Sequence, residues 1–304
     1  MEEIKSKRFE KKFNPGISAA YFFLAPALFS IFIFFFIPVL AAFLISFTDF
    51  DIYSLGNYSN LRFVGLKNYS DLLSNELFWT SLRNTFYFVI VASPLSIAVS
   101  LGAALILNSK LVKLKALFRL AYFIPVVTTL VAVAIVWRFI YHPRFGMLNY
   151  LLSIIGVNPI DWLGDPFWAM PSIIIMSVWK NFGYNMVIFI AGLQNIPEYL
   201  YEAAQLEGAN TWQQFKKITL PMLAPTTIFI SIITMIGNFQ LFAEPYIMTQ
   251  GGPLNKTLSV VQYMYQEGFR WWNMGYSASI AFVLFVIIFT FTIIQIKFRK
   301  HEFN

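Results

Sequence analysis

The sequence predicts an all-α integral membrane protein: six transmembrane helices, with a short extra helix in the cytoplasmic loop between the fourth and the fifth. Three observations predict it. Hydrophobic residues make up 58% of the 304 residues and charged residues only 12%, about half the charged share of a soluble domain. The apolar residues fall in long runs, and a spanning helix needs about 20 of them. The remaining Lys and Arg cluster beside those runs, as they do in loops on the cytoplasmic side of a membrane. Phe alone occurs 34 times, more than one soluble core could hide, whereas lipid can face it.

The six spans read in order as follows. The first is 13–48, with its apolar centre at 21–47, too long for the h-region of a cleaved signal peptide. The second is 84–109. The third, 120–137, is short and borrows the flanks 116–119 and 138–141. The fourth is 166–193 and carries one charge, Lys180. The fifth is 218–243 and the sixth 271–296. Pro38, Pro94, Pro125 and Pro171 fall within or at the ends of spans, where they are expected to kink helices whose freed carbonyls find neighbours in the bundle. The chain reads as one domain over 1–304, with an N-terminal tail, first span and outer loop in 1–79, a core in 80–298, and a distinct loop at 196–221.

Orientation follows from the basic residues. The amino terminus holds Lys5, Lys7, Arg8, Lys11 and Lys12; the second-to-third loop holds Lys110, Lys113, Lys115 and Arg119; the fourth-to-fifth loop holds Lys216 and Lys217; the tail holds Lys297, Arg299 and Lys300. The opposite side holds Arg62, Lys67, Arg83, Arg138, Arg144, Lys256 and Arg270, half as many. The richer side is expected in the cytoplasm, with both termini inside. The outer loops are then 49–83, 138–165 and 244–270. Most of Trp79, Trp137, Trp162, Trp168, Trp271 and Trp272 read as a headgroup belt.

Several classes are excluded. There is no cysteine, so disulfides, thiolate metal sites and cysteine nucleophiles are out. Two histidines, His142 and His301, cannot build a histidine metal cluster, and no catalytic or metal site is expected. The net charge of +7 sits in membrane-flanking clusters and does not point to nucleic acid.

The loop 196–221 has clear local physics. Pro197 suits a first helical turn, Glu198 meets the helix dipole there, and Ala203 and Ala204 favour helix. Gly208 can end that helix in a left-handed conformation. Asn210 or Thr211 can cap a second helix, with Thr211 and Gln214 matching a capping box. Trp212, Phe215 and Ile218 share one face, and Pro221 limits this second helix before span five. The loop thus reads as a helix–turn–helix against the membrane with an exposed acid.

Glu202, Ala203 and Ala204, then Gly208, Ile218, Leu220 and Pro221, at this spacing, resemble the EAA signature of the permease subunits of ABC importers. Glu207 stands where that family usually has Asp, and keeps the charge. The stretches 63–69, 192–197 and 249–253, with Thr257 and 263–269, are similar to the carbohydrate-uptake branch, of the maltose and multiple-sugar type. An acid on a helix is ordinarily a solvated face. The resemblance instead implies a coupling helix docking on a cytoplasmic ATPase. It implies as partners a second homologous permease, two ATP-binding cassette subunits, an extracellular solute-binding protein and a sugar, in the inner membrane of a bacterium. The chain has no Walker-type glycine loop, so no cofactor is expected of its own, ATP being bound by the partner.

Polar residues inside the spans are costly and often functional. Lys180 and Asn181 sit in span four, with Tyr184 and Asn185 one turn on. Thr234, Asn238 and Gln240 lie in span five, with Glu244 at its mouth. Helical spacing pairs Asn181 with Asn185, Thr234 with Asn238, and Gln240 with Glu244. Interhelical hydrogen bonding is the plain reading. The functional one is a polar pathway for hydroxyl-rich cargo, formed by Asn181, Tyr184, Thr234, Asn238 and Gln240, with Tyr184 or Phe239 stacking on a sugar. The resemblance places a sugar-contacting Asn at Asn238 and a nearby hydroxyl at Thr234. The absence of a matched acid disfavours a cationic cargo, while Lys180 leaves a sugar phosphate open. An ion-coupled secondary transporter would use intramembrane acids, and every Asp and Glu here falls in a loop or at a span end.

Overall fold

A computed structural model describes residues 15–56, 61–109 and 112–302, without the side chains of 15–19, 55–56 and 298–302. The basic residues Lys5, Lys7, Arg8, Lys11, Lys12 and Lys110, and the side chains of Arg299 and Lys300, lie outside the described residues.

Among the described residues the chain is helical, with no strand and one isolated bridge, Thr48 to Phe63. The first span is α1 (Pro15–Ile31), a π turn (Phe32–Phe36) and α2 (Ile37–Ile45). Short helices α3 (Ile52–Gly56) and α4 (Lys67–Ser74) lead to α5 (Glu76–Asn108). The first helical residue of α5 lies eight positions ahead of the apolar run 84–109, because Asn75 accepts from Leu77 N and Phe78 N and caps it. Its 33 residues make about 50 Å, so α5 projects beyond a hydrocarbon core about 30 Å thick.

The third span is not one rod. Helices α6 (Lys115–Val127) and α7 (Leu130–Ile140) meet at 99°. Pro125 has no N–H to donate, the Thr128 hydroxyl takes the Ile124 and Pro125 carbonyls, and Thr128 and Thr129 are extended. With that bent pair counted as one crossing, the described residues hold six spans, the other five being long and apolar enough singly. The pair reaches the far side: the Tyr141 hydroxyl just after α7 donates to Ser172 O near the start of α9 (Ala169–Gln194). Helix α8 (Met147–Ile154) lies between.

After α10 (Glu198–Leu206), α11 (Thr211–Gln214) runs through a second π turn (Phe215–Thr219) into α12 (Leu220–Phe239). The result is one helix over Thr211–Phe239. Pro221 therefore does not separate the loop helix from span five. Pro38 likewise follows a π turn by two residues. The wider turn accommodates a ring that would otherwise strike the carbonyl four residues back. Helices α13 (Ala243–Met248) and α14 (Val260–Tyr265), then a π turn (Gln266–Arg270), lead to α15 (Met274–Glu302).

Helix α9 is the most enclosed span and packs on α5, α6 and α12. Two glycines allow this. A Cβ on Gly183 would strike the Tyr122 carbonyl of α6, and one on Gly192 would meet Thr226 and Leu223 of α12. The tryptophans divide. Trp79, Trp271 and Trp272 are exposed, as a belt requires. Trp137, Trp162 and Trp168 instead join Tyr141 in a core cluster, with Trp137–Tyr141 ring centroids 5.2 Å apart and Trp162–Trp168 5.4 Å apart.

Candidate functional site: a polar cavity and an exposed loop at opposite ends of one helix

A cavity of about 600 Å³ opens between α5, α9, α12 and the start of α13, within the range of small-molecule sites. All five residues expected of a polar pathway line it: Asn181, Tyr184, Thr234, Asn238 and Gln240. Asn185, Ser96, Ser177, Lys180 and Glu244 join them.

Some of these amides also tie helices together, as the plain reading has it. Asn185 Nδ2 donates to Thr234 Oγ1 at 3.0 Å and reaches Ser96 Oγ at 3.5 Å. Asn238 Nδ2 donates to Ser93 Oγ at 2.8 Å. Asn181 Nδ2 donates to Ser177 Oγ at 3.3 Å. One edge of each amide is thus held. Asn181 and Tyr184 remain exposed, and Asn238 half-buried, towards the cavity. The held edge fixes the side chain, and the open edge offers hydrogen bonds to a polyhydroxylated molecule. The aromatic assignments separate: Tyr184 is half exposed at the cavity, whereas Phe239 is buried against Phe86 and Phe291 and offers no face to a ligand.

Two features differ from the expected arrangement. Gln240 and Glu244 are not on one helical face, because α12 ends at Phe239 and α13 begins at Ala243. Both nonetheless line the cavity. Glu244 is buried, not poised at a mouth, and it is the acid whose field reaches Lys180. Burial pushes its carboxyl up, while its own backbone amide and the Lys180 charge pull it down. Lys180 Nζ donates to Val126 O at 3.4 Å, a carbonyl left open at the α6–α7 break. Lys180 therefore closes the break and has an acid in the same cavity.

The serines of α5 were not singled out from the sequence. Ser93, Ser96 and Ser100 recur at spacings of three and four, one face of a helix, and all three are buried. Ser100 donates to Phe182 O of α9. That recurrence in an otherwise apolar span was the available signal.

The loop 196–221 lies at the opposite end of α12. Pro197 occupies the N-cap position and Glu198 the first turn of α10. Gly208 takes φ +81°, and a Cβ there would meet nothing within 4 Å. Its conformation, and not space, calls for glycine. The capping box forms at Asn210, with Gln213 N donating to Asn210 Oδ1 at 2.9 Å and Asn210 N to Gln213 Oε1 at 2.8 Å. Of the two possible caps the earlier is used, and the box is Asn210–Gln213, not Thr211–Gln214. Glu202, Ala203 and Glu207 are exposed and Ala204 half-buried; Leu206 is 91% exposed. Ile218 packs on the core beside α9, and Leu220 and Pro221 are exposed. Tyr201 and Thr219 hydroxyls meet at 2.9 Å, joining α10 to the π turn of the long helix.

Comparison with known proteins places the chain among transporters. The family described as "Binding-protein-dependent transport system inner membrane component" matches residues 96–300. The Arabinooligosaccharides transport system permease protein AraP of Bacillus subtilis is 37% identical over 92% of this chain and 88% of its own length. The Lactose transport system permease protein LacF of Rhizobium radiobacter is 36% identical over 90% of this chain and 92% of its own. The Trehalose/maltose transport system permease protein MalF of Thermococcus litoralis is 35% identical over 91% and 92%. Among solved structures, a chain of a bacterial ABC transporter importing the acidic polysaccharide alginate superposes with a TM-score of 0.80 at 20% identity. That match covers 95% of this chain and 98% of the other, and shows a shared fold.

Proposed function

The chain belongs to the inner membrane components of binding-protein-dependent transport systems, and from that membership we propose that it conducts a carbohydrate through the cavity at Asn238. As a multi-pass permease of an ABC importer, it is not itself an enzyme. The observation that carries the cargo reading is the lining: the amides of Asn181, Asn185 and Asn238, each held on one edge by a hydroxyl, beside the exposed ring of Tyr184. Relatives over 90% or more of this chain are named for arabinooligosaccharides, lactose and trehalose or maltose.

On this reading the whole chain 1–304 is one permease, 80–298 its core and 196–221 its coupling loop. Glu202, Ala203, Ala204, Glu207 and Gly208 present the face that a cytoplasmic ATPase grips, and Ile218, Leu220 and Pro221 join that face to span five. Movement of α10 passes through Tyr201–Thr219 to the helix that carries Thr234 and Asn238. That helix has 29 residues, about 43 Å at 1.5 Å per residue. The loop faces the cytoplasm, and both termini share that side. A second homologous permease, two ATPase subunits that bind the ATP, and an extracellular solute-binding protein complete the machine.

A sugar phosphate is a weaker reading. Lys180 is one cation in a lining otherwise rich in amides, hydroxyls and apolar groups, and its Nζ is turned to the Val126 carbonyl. Import by the complete transporter in proteoliposomes, with labelled lactose, maltose, trehalose or arabinotriose set against glucose 6-phosphate, tests the choice. Exclusive uptake of the phosphate would reverse it.

A further inference from the structure

Four aromatic side chains form an unbroken contact series that begins in the cavity and runs out along α13, α14 and the π turn after it. Phe242 lines the cavity. It stacks on Tyr246, with centroids 5.2 Å apart and planes 19° apart. Both touch Tyr265, at 5.1 and 5.5 Å. Tyr265 in turn stacks on Phe269 at 5.5 Å and 29°. Tyr246 is 41% and Phe269 59% exposed, while Phe242 and Tyr265 are half-buried. The series lies on the segment joining spans five and six, on the side of the molecule opposite the 196–221 loop.

We propose that Phe242, Tyr246, Tyr265 and Phe269 form an outer carbohydrate subsite, a track on which sugar rings stack before they descend to Asn238. This rests on the reading of the cargo as carbohydrate. Aromatic faces carry negative partial charge and attract the polarised C–H bonds on one face of a sugar ring. Phe242 and Tyr246 stack on each other, as do Tyr265 and Phe269, which leaves each ring one uncharged face for a sugar, so the attraction is weak at each step and a ring can move from one aromatic to the next. Tyr246 and Tyr265 add hydroxyls that exchange hydrogen bonds with the sugar's own. Aromatics that only anchored a headgroup belt would, on replacement by leucine, change insertion and not the import KM of the inserted protein.

The test uses the complete transporter with its solute-binding protein in proteoliposomes. Lactose, maltose, trehalose and arabinotriose are the probes. Tyr265→Leu and Tyr246→Leu should each raise the KM for import of the transported probe at least fivefold, with the maximal rate kept. Tyr265→Phe should restore most of the loss, and Tyr265→Trp likewise. A KM unchanged in both leucine variants, in a transporter whose wild type imports a probe, overturns the track and leaves the carbohydrate reading intact. A KM raised equally by Leu, Phe and Trp at position 265 marks a packing role and also overturns it. A wild type that imports none of the four overturns the carbohydrate reading and the track together.

Discussion

The Asn238 side-chain amide on α12 donates to the Ser93 hydroxyl on α5 at 2.8 Å, so the residue proposed to meet the cargo is oriented by a neighbouring span. Asn238→Ala removes the cavity contact and the tie together. Loss of one buried hydrogen-bond partner costs about 1–3 kcal/mol, or about five- to a hundredfold in cargo affinity. Ser93→Ala should cost less, because the amide stays. The double variant should be no worse than Asn238→Ala alone, a non-additivity that import KM values in a double-mutant cycle would measure.

Gly208 has left-handed backbone in open space. A β-branched residue there should abolish coupled import, at a conformational cost of about 1–3 kcal/mol, while the protein still inserts. Gly208→Asn should retain import, since Asn visits this region readily. Glu202→Lys, which reverses the exposed charge without straining the backbone, should uncouple import from ATP hydrolysis at equal expression. Normal uptake in both Gly208→Val and Glu202→Lys would remove the coupling role.

Gly183 seats the Tyr122 carbonyl against α9. Gly183→Ala must push α6 away, and overpacking of this kind costs about 1–3 kcal/mol. Thermal unfolding in detergent should show a lowered midpoint. Gly102→Ala, on α5 with nothing within 4 Å of its Cβ, should leave the midpoint unchanged or raised. Equal midpoints for the two variants would mean that the α6–α9 contact does not hold the fold.

Orientation is open to cysteine labelling, because the chain contains no cysteine of its own. A single cysteine at Asn255 should react with an impermeant maleimide added outside intact cells. One at Gln213 should react only after permeabilisation. Outside labelling at Gln213 would invert the topology.

The sequence made some features legible and hid others for physical reasons. Five straight spans were readable because hydropathy needs no tertiary information, and Gly208 because a helix end with open space and positive φ is a local property. The break at Thr128–Thr129 was not. Pro94 and Pro125 both sit inside apolar runs, yet α5 passes through Pro94 intact. The difference at Pro125 is tertiary: Lys180 takes the Val126 carbonyl and Gly183 admits Tyr122. Thr234, Asn238 and Asn181 could be placed at the cavity because polar residues in apolar runs stand out. Glu244 read as a mouth residue, because only the turn between α12 and α13 brings it into the cavity that Lys180 also lines. The π turn that carries the helix past Pro221 is likewise absent from any residue preference.

The cavity's role in cargo passage is tested most directly by ATP-dependent import in proteoliposomes that hold the complete transporter with Asn238→Ala, Thr234→Val or Tyr184→Ala. Import of the carbohydrate taken up by the wild type should fall at least fivefold for Asn238→Ala, while ATPase stimulation by the loaded binding protein persists. Unchanged rate and selectivity in all three variants would contradict the assignment and move the site to the partner permease.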